Sequence, residues 1–474
     1  MIDRGTVPSA DSYSPQRRTA LVLSGTGTAG AYHAGVLRAL HEAGVKIDVV
    51  AGRGIGAVGA LFAAIDGAHR LWDEKGFWRT SDRRALYPWR QTLRLAAWTL
   101  ATAVALVAVP LAAMVVGLIV FPIDFLLKMV GATGRGGLTA WYLGVVEVAF
   151  APDGLPTWLP RLVLLLLGSA ASVALATGFW RGGRQPRGAM WWRMVPAPLS
   201  SAPAIEHCWR ILWDLVRGAT PLKQPGRADL ARRYTEMLAD NLGQPGFREL
   251  VLVVHDVDAG RDLVFALVTP PRRRDLLRTS RFGDVEARRA DVIDLAGAGR
   301  DHLADALGAA LSVPLATDFH LLRFAPDAYW RGEQHRLSDR PASLERLVQE
   351  LLAVDVEQIV LASASPEAGG PHALGAPRMD GRGRVGEYLQ SSETAAVRDV
   401  LARAAGGGER LQVYAIRPTH NAIGPFDFDG GFDDRSGRRS NLMELMGRGY
   451  EDAYRQFIEP VVGASGERVG HAEA

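Results

Sequence analysis

The chain has 474 residues, 48% of them hydrophobic and 22% charged, which excludes a largely disordered protein and leaves ample length for a packed core. One cysteine, Cys208, excludes an internal disulfide framework and any multi-cysteine zinc or iron–sulfur site. The net charge of +3, from 50 Arg and 4 Lys against 51 acidic residues, is too small to argue for nucleic acid. Residues 1 to 18 are polar, with no apolar core of a signal peptide, and read as a disordered tail. Ala20 to Ser24 is a short buried strand. Gly30 to Ala43 has apolar residues at helical spacing and ends at Gly44. Ile47 to Ala51 is a second strand, and Ile55 to Asp66 a helix of small residues.

Leu95 to Ile123 then runs 29 residues without a charge, longer than a bilayer core of about 30 Å requires of a helix. Leu162 to Trp180 is a second uncharged run, flanked by Trp158 and by Trp191 and Trp192 as interface anchors. The alternative for both is a pair of helices buried in a soluble core. Arg79, Arg83, Arg84, Arg90 and Arg94 precede the first run, and Arg181, Arg184, Arg187 and Arg193 follow the second. Between the runs the only basic residues are Lys128, Arg135 and Arg161, so both outer flanks are expected in the cytoplasm. Gly137 to Phe150, apolar except for Glu147, is expected to lie along the far interface or to re-enter the membrane.

Beyond the hairpin, Glu249 to Val254 and Asp262 to Val268 read as paired strands. Leu344 to Val354 is a helix leading into a strand at Gln358 to Ala362. Leu411 to Ile416 is the last strand and Asn441 to Ile458 the last helix. Such alternation predicts an α/β sheet covered on both faces.

Two glycine-rich turns carry the chemistry. Gly25-Thr26-Gly27-Thr28-Ala29-Gly30 follows the first strand and opens a helix. One reading is a dinucleotide loop with a pyrophosphate at the helix N-terminus. That reading expects an acidic residue at the end of the second strand, and Asp48 stands at its start instead. What ends that strand is Gly52-Arg53-Gly54-Ile55-Gly56, of the shape of a nucleophile elbow; the first loop then supplies oxyanion donors.

The stretch from Ala20 to Ala64, with its order of strand, glycine loop, helix, strand, elbow and small-residue helix, resembles the opening unit of the patatin-like phospholipases. The resemblance is strong over residues 19 to 70 and looser over 245 to 460. It implies a three-layer sandwich with a mixed, mainly parallel sheet, here interrupted by a transmembrane helical hairpin. The expected division is a tail at 1–18, a first patatin-like part at 19–90, a membrane insertion at 91–195, a second part at 196–465 and a tail at 466–474. The family hydrolyses lipid acyl esters with a Ser–Asp dyad. The elbow serine is replaced here by Gly54, and the usual arginine of the oxyanion loop by Ala29. Counting back from the helix at Leu344 places the aspartate slot at Arg331, within Tyr329 to Glu333. Asp429-Gly430-Gly431 and Asp380-Gly381 fall too late in the chain and read as turns.

The two apolar runs and their arginine flanks, taken with the resemblance, lead to the expectation of an inner-membrane, multi-pass protein of lipid metabolism with a cytoplasmic domain, an inactive dyad and a membrane lipid or fatty acid as partner. No cofactor, metal or nucleic acid is expected. The alternatives are an acyl hydrolase with a non-standard site, such as His335 acting with Ser24 or Ser338, and a nucleotide-binding protein through Gly25 to Gly30. A cluster from Arg331 to Arg340 reads either as a phosphate site or as surface ion pairs.

Overall fold

The computed structural model describes residues 13–463 except 81, 83–84, 133–135, 182–196, 219, 279–284, 368, 370–379 and 407–410. The chain divides into two units, Met1–Pro88 with Leu199–Ala474, and Trp89–Pro198.

In the first unit a mixed sheet has strand order β5-β4-β3-β2-β1-β8-β9. The strands are β1 (Thr19–Gly25), β2 (Val49–Gly54), β3 (Glu249–Asp256), β4 (Arg261–Leu267), β5 (Val292–Asp294), β8 (Gln358–Ser363) and β9 (Gln412–Ile416). The hairpin of β6 (His320–Arg323) and β7 (Gln334–Ser338) joins through β7, antiparallel to the end of β3. The central pairings β1–β2, β2–β3, β1–β8 and β8–β9 are all parallel.

Alternation along the strands creates the layers. Leu21, Leu23, Val50, Leu250 and Leu252 face one side, against α1 (Ala29–Glu42), α2 (Gly56–Ala64) and further helices. Ala20, Val22, Val49, Ala51, Val251 and Val253 face the other side. This is the expected three-layer α/β sandwich. The tail expected over 1–18 ends sooner, because Tyr13 is buried with its ring edge-on to Phe457 and the Ser14 N–H donates to Gln358.

The second unit holds α3 (Gln91–Met129), α4 (Gly137–Ala149) and α5 (Leu155–Arg181). Gln91–Met129 and Leu155–Val173 are long and apolar enough to cross a membrane. Their large apolar side chains are exposed, Leu118 and Met114 among them. The segment Gly137 to Phe150 forms α4, which runs back along α3. Asp124 of α3 accepts the Leu138 N–H, the Tyr142 ring packs on Phe121 over Gly117, and the Tyr142 hydroxyl donates to the Ala113 carbonyl at 2.5 Å. The flanking Trp191, Trp192, Arg184, Arg187 and Arg193, and the tail 466–474, lie outside the described residues.

The remaining helices belong to the first unit. They are α6 (Ala202–Val216), α7 (Arg227–Asn241), α8 (Pro270–Arg278), α9 (Val285–Asp291), α10 (Leu303–Ala310), α11 (Ser343–Ala353), α12 (Gly381–Gly406) and α13 (Leu442–Ala453), the last continued by a π-helical segment Tyr454–Val462. Leu344, Leu347 and Leu351 of α11 and Val397 and Val400 of α12 cover the second sheet face.

Candidate active site

The parallel strands β1 and β2 end side by side, with Gly25 opposite Gly54, and each turns into a helix. Gly54 stands at the apex of its turn with φ +56°, the left-handed backbone that a side-chain-bearing residue adopts only at a cost. A Cβ at Gly54 would point at the Asp339 carboxylate, 2.9 Å from Oδ2, and would overlap the Gly25 carbonyl oxygen. That same oxygen accepts the Ile55 N–H at 2.9 Å. The position of a side-chain Cβ at residue 54 is thus held by backbone. Gly52 and Gly56 are needed for close packing, Gly52 against the Gly56–Ala57 peptide and Gly56 against the Leu23 carbonyl.

The expected aspartate slot at Arg331 is corrected by this geometry. Arg331 sits in the turn between β6 and β7, with φ +44° and its N–H on the Ala328 carbonyl. The residue that faces the elbow is Asp339, at the end of β7 and just before α11. The count went astray because β7 was not anticipated: it inserts one strand between the Arg331 turn and the helix.

Asp339 is not a solitary carboxylate. The Arg53 guanidinium donates through Nη1 to its Oδ1 and Oδ2 at 2.8 and 3.0 Å, through Nη2 to Glu393 of α12, and through Nε to the Ser24 hydroxyl at 3.1 Å. Ser24 in turn donates to Glu393, and the Thr26 hydroxyl to Asp339 at 3.3 Å. All five residues are buried. Burial pushes the Asp339 carboxyl up, while Arg53 pulls it the other way. Next to this cluster the His33 Nε2–H donates to the Ser24 carbonyl at 3.1 Å, and burial brings the imidazole down to about 4, so it is neutral near pH 7.

The glycine loop is covered. Pro425 lies on it: its carbonyl accepts the Thr28 N–H at 2.9 Å and occupies the space where a Cβ on Gly27 would be, while the Thr28 hydroxyl donates to the Gly424 carbonyl. The next N–H groups close local turns, Ala29 on Thr26, Gly30 on Gly27 and Ala31 on Thr28. Gly30 itself lets Trp78 and Ile55 approach. The N–H groups of residues 28 to 31, expected to face a ligand, are therefore satisfied within the protein. A cavity of about 20 Å³ remains between Thr26, Ala29, Ser365, Glu393, Asn421 and Pro425, the room of one water molecule.

A pyrophosphate on this loop would meet Pro425, which counts against the dinucleotide reading. Asp48 bonds the Thr19 N–H at the opposite end of the strands. His335 pairs with Asp256 at 2.5 Å and with Glu333, so it does not serve Ser24, whose hydroxyl is engaged by Glu393 and Arg53. Arg336 and Arg340 pair with Asp258 and Asp262. Asp380 caps α12 by accepting the Gly383 N–H, and Gly430 turns at φ +92° into the β10–β11 hairpin (Gly431–Asp433, Arg438–Ser440).

Sequence reasoning missed Asp339, Arg53, Glu393 and Pro425. Arg53 did carry a signal, being a lone charge between two glycines at the end of a buried strand. Asp339 was hidden by its turn, Asp-Arg-Pro in place of Asp-Gly-Gly.

Residues 21–109 match the family model described as Patatin-like phospholipase. The chain is 46% identical over 70 residues to "Patatin-like phospholipase domain-containing protein 6" of Mus musculus, covering 15% of this chain and 5% of that one. It is 48% identical over 48 residues to "Lysophospholipase nte1" of Aspergillus fumigatus, covering 10% and 3%. The chain thus spans about one twentieth or less of the length of these curated relatives. The crystal structure of VipD from Legionella pneumophila aligns with 95% of this chain and 67% of its own at 13% identity and a TM-score of 0.28.

Proposed function

This chain belongs to the patatin-like phospholipase family, and from that premise we propose that it is a membrane-anchored, lipid-associated protein whose acyl hydrolase site is inactive. One observation carries the reading. The elbow has no side-chain oxygen, and the Gly25 carbonyl overlaps the position of the Cβ that would carry one. Three further features support it: Asp339 is ion-paired to Arg53, the N–H groups of Ile55 and Thr28 are occupied by carbonyls, and the cavity of about 20 Å³ admits no acyl chain. The apolar faces of α3 and α5 support the anchoring. Because residues on both sides of the insertion share one sheet, the helices must cross the bilayer an even number of times. With the arginine-rich flanks inside, two spans put the α/β unit in the cytoplasm.

The test is hydrolysis by the purified full chain in nanodiscs, with a p-nitrophenyl ester and a lysophospholipid as substrates. The expected rate equals that of heat-denatured protein. Turnover by the wild-type protein above that background would overturn the reading.

A second reading is favoured by one contact, the Thr26 hydroxyl 3.3 Å from Asp339. Here a threonine of the glycine loop replaces the elbow serine as nucleophile. Its mark would be wild-type hydrolysis that vanishes in Thr26→Val and is kept in Thr26→Ser, both variants melting like the wild type.

A further inference from the structure

We infer that one edge of the α/β unit is a membrane-contact surface, built from Leu315, Phe319, Leu321 and Arg323, which rests in the headgroup layer of the bilayer. The inference deepens the proposed function and rests on its membrane anchoring. It starts from where the chain leaves the α/β unit and where it returns. The two roots lie side by side, because the Ser200 N–H donates to the Pro88 carbonyl at 3.1 Å. Both roots are tied to the same segment. The Leu199 N–H donates to the Ala316 carbonyl at 2.8 Å, and the Tyr87 hydroxyl to the Leu311 carbonyl at 3.0 Å. The segment from Leu311 to Ala316 is thus fastened to the place from which the apolar helices depart. Leu95, where the uncharged run begins, is seven residues beyond Pro88. Even fully extended, that tether is at most about 25 Å long.

What this segment presents is apolar. Leu315 is 70% exposed and holds φ +65°. Neither burial nor backbone preference accounts for a leucine there, since a left-handed, solvated position favours Gly or Asn. Phe319 follows, and β6 continues the pattern. Leu322 is buried, whereas Leu321 and Arg323 point outward on the other face of the strand. Across the ladder Leu321 faces Arg336, whose guanidinium lies 5.6 Å from the centre of the Phe319 ring. Arg323 has no side-chain partner among the described residues. Single exposed apolar residues are ordinary. Three of them on the edge that carries both membrane roots, beside an unpaired guanidinium suited to a lipid phosphate, form the pattern of an interfacial anchor. The occupant that this continuity selects is the phospholipid surface itself.

The test uses the full chain in vesicles of 3:1 dioleoylphosphatidylcholine and dioleoylphosphatidylglycerol. Cys208 is buried, so cysteines introduced one at a time take an environment-sensitive fluorophore selectively. Leu315→Cys and Leu321→Cys report on the surface. Tyr388→Cys, at an exposed site on α12, is the aqueous control, and Met114→Cys reports on the α3 span. Each variant is used only if it melts like the wild type. A headgroup spin-labelled lipid should quench positions 315 and 321 at least threefold more than position 388. A lipid spin-labelled in mid-chain should quench position 114. If 114 is quenched but 315 and 321 match 388, the contact surface is refuted while the anchoring stands. If 114 is not quenched, the anchoring fails and this inference with it.

Discussion

Replacing Arg53 by methionine removes the one cation from a site that holds two buried carboxylates. In the wild type Arg53 and Asp339 are at most 1% exposed and Glu393 4%, and Arg53 donates to both carboxylates and to Ser24. Without it, at least one carboxylate must take up a proton to remain buried. At pH 7 that costs about 4 kcal/mol for a group whose ordinary value is near 3.9, at about 1.36 kcal/mol per pH unit. The figure agrees with the roughly 3–5 kcal/mol lost when one partner of a buried ion pair is removed. At pH 5 the same protonation costs only about 1.5 kcal/mol. Arg53→Met should therefore be strongly destabilised at pH 7 and much less so at pH 5. The assay is thermal unfolding of the detergent-solubilised chain at both pH values. At roughly 2–4 °C per kcal/mol, the melting point should fall by about 8–16 °C at pH 7. Adding Asp339→Asn and Glu393→Gln to Arg53→Met should remove the pH dependence of the loss. A variant that melts within about 2 °C of wild type at pH 7, or a loss equal at both pH values, would refute the charge argument.

Gly54→Ser should lower stability by at least the roughly 1–2 kcal/mol of a left-handed non-glycine residue, with more from the overlap with the Gly25 carbonyl, and should give no ester hydrolysis; melting and a p-nitrophenyl ester assay check both. A Cβ on Gly35 would overlap the Met446 carbonyl, and one on Gly449 the Tyr32 carbonyl, so Gly35→Val should part α1 from α13 and abolish the yield of folded protein while Gly447→Ala, with open space around it, leaves the yield unchanged. His33 is held at about 4 against 6.5 unfolded, so the unfolded chain binds more protons between these values. Stability is then complete above pH 6.5 and falls by about 3 kcal/mol as the pH drops to 4, and His33→Gln should flatten that part of the melting-point profile.

Much of the sheet could be read from the chain, because its central strands are continuous apolar runs flanked by glycine turns. Ala20 to Ser24, Glu249 to Val254 and Gln358 to Ala362 all became strands within a residue or two. The β6–β7 hairpin could not. His335, Leu337 and Ser338 are buried while Gln334 and Arg336 are exposed, and such a short, polar sequence shows its burial only once the hairpin has folded against β3. Without that strand, the count back from α11 passes over Asp339, the carboxylate that faces Gly54, and reaches Arg331. The ion cluster was illegible for a different reason. Arg53 reaches partners 286 and 340 residues away, and no local pattern announces a contact of that separation.

On the proposed reading, a glycine at position 54 and an arginine at position 53 are linked by the needs of Asp339. A carboxylate at the end of β7 is carried into the core by the strand it terminates, whatever faces it. Buried without donors it would cost several kcal/mol, on the order of the penalty for any uncompensated interior charge. At Gly54 no hydroxyl is present to donate, and the Gly25 carbonyl that fills the gap is itself an acceptor, which adds to the demand for donors. Arg53 stands one residue before Gly54 on β2, and its Nη1 reaches both oxygens of Asp339; the Thr26 hydroxyl adds a third contact. The Ile55 N–H, set by the same turn, satisfies the Gly25 carbonyl. The Asp339 carboxylate and the Gly25 carbonyl, the two acceptors beside Gly54, thus both have donors in place. A hydroxyl introduced at position 54 is therefore not expected to hydrolyse esters, because Asp339 is already ion-paired to Arg53 and the Gly25 carbonyl stands where the new Cβ would go.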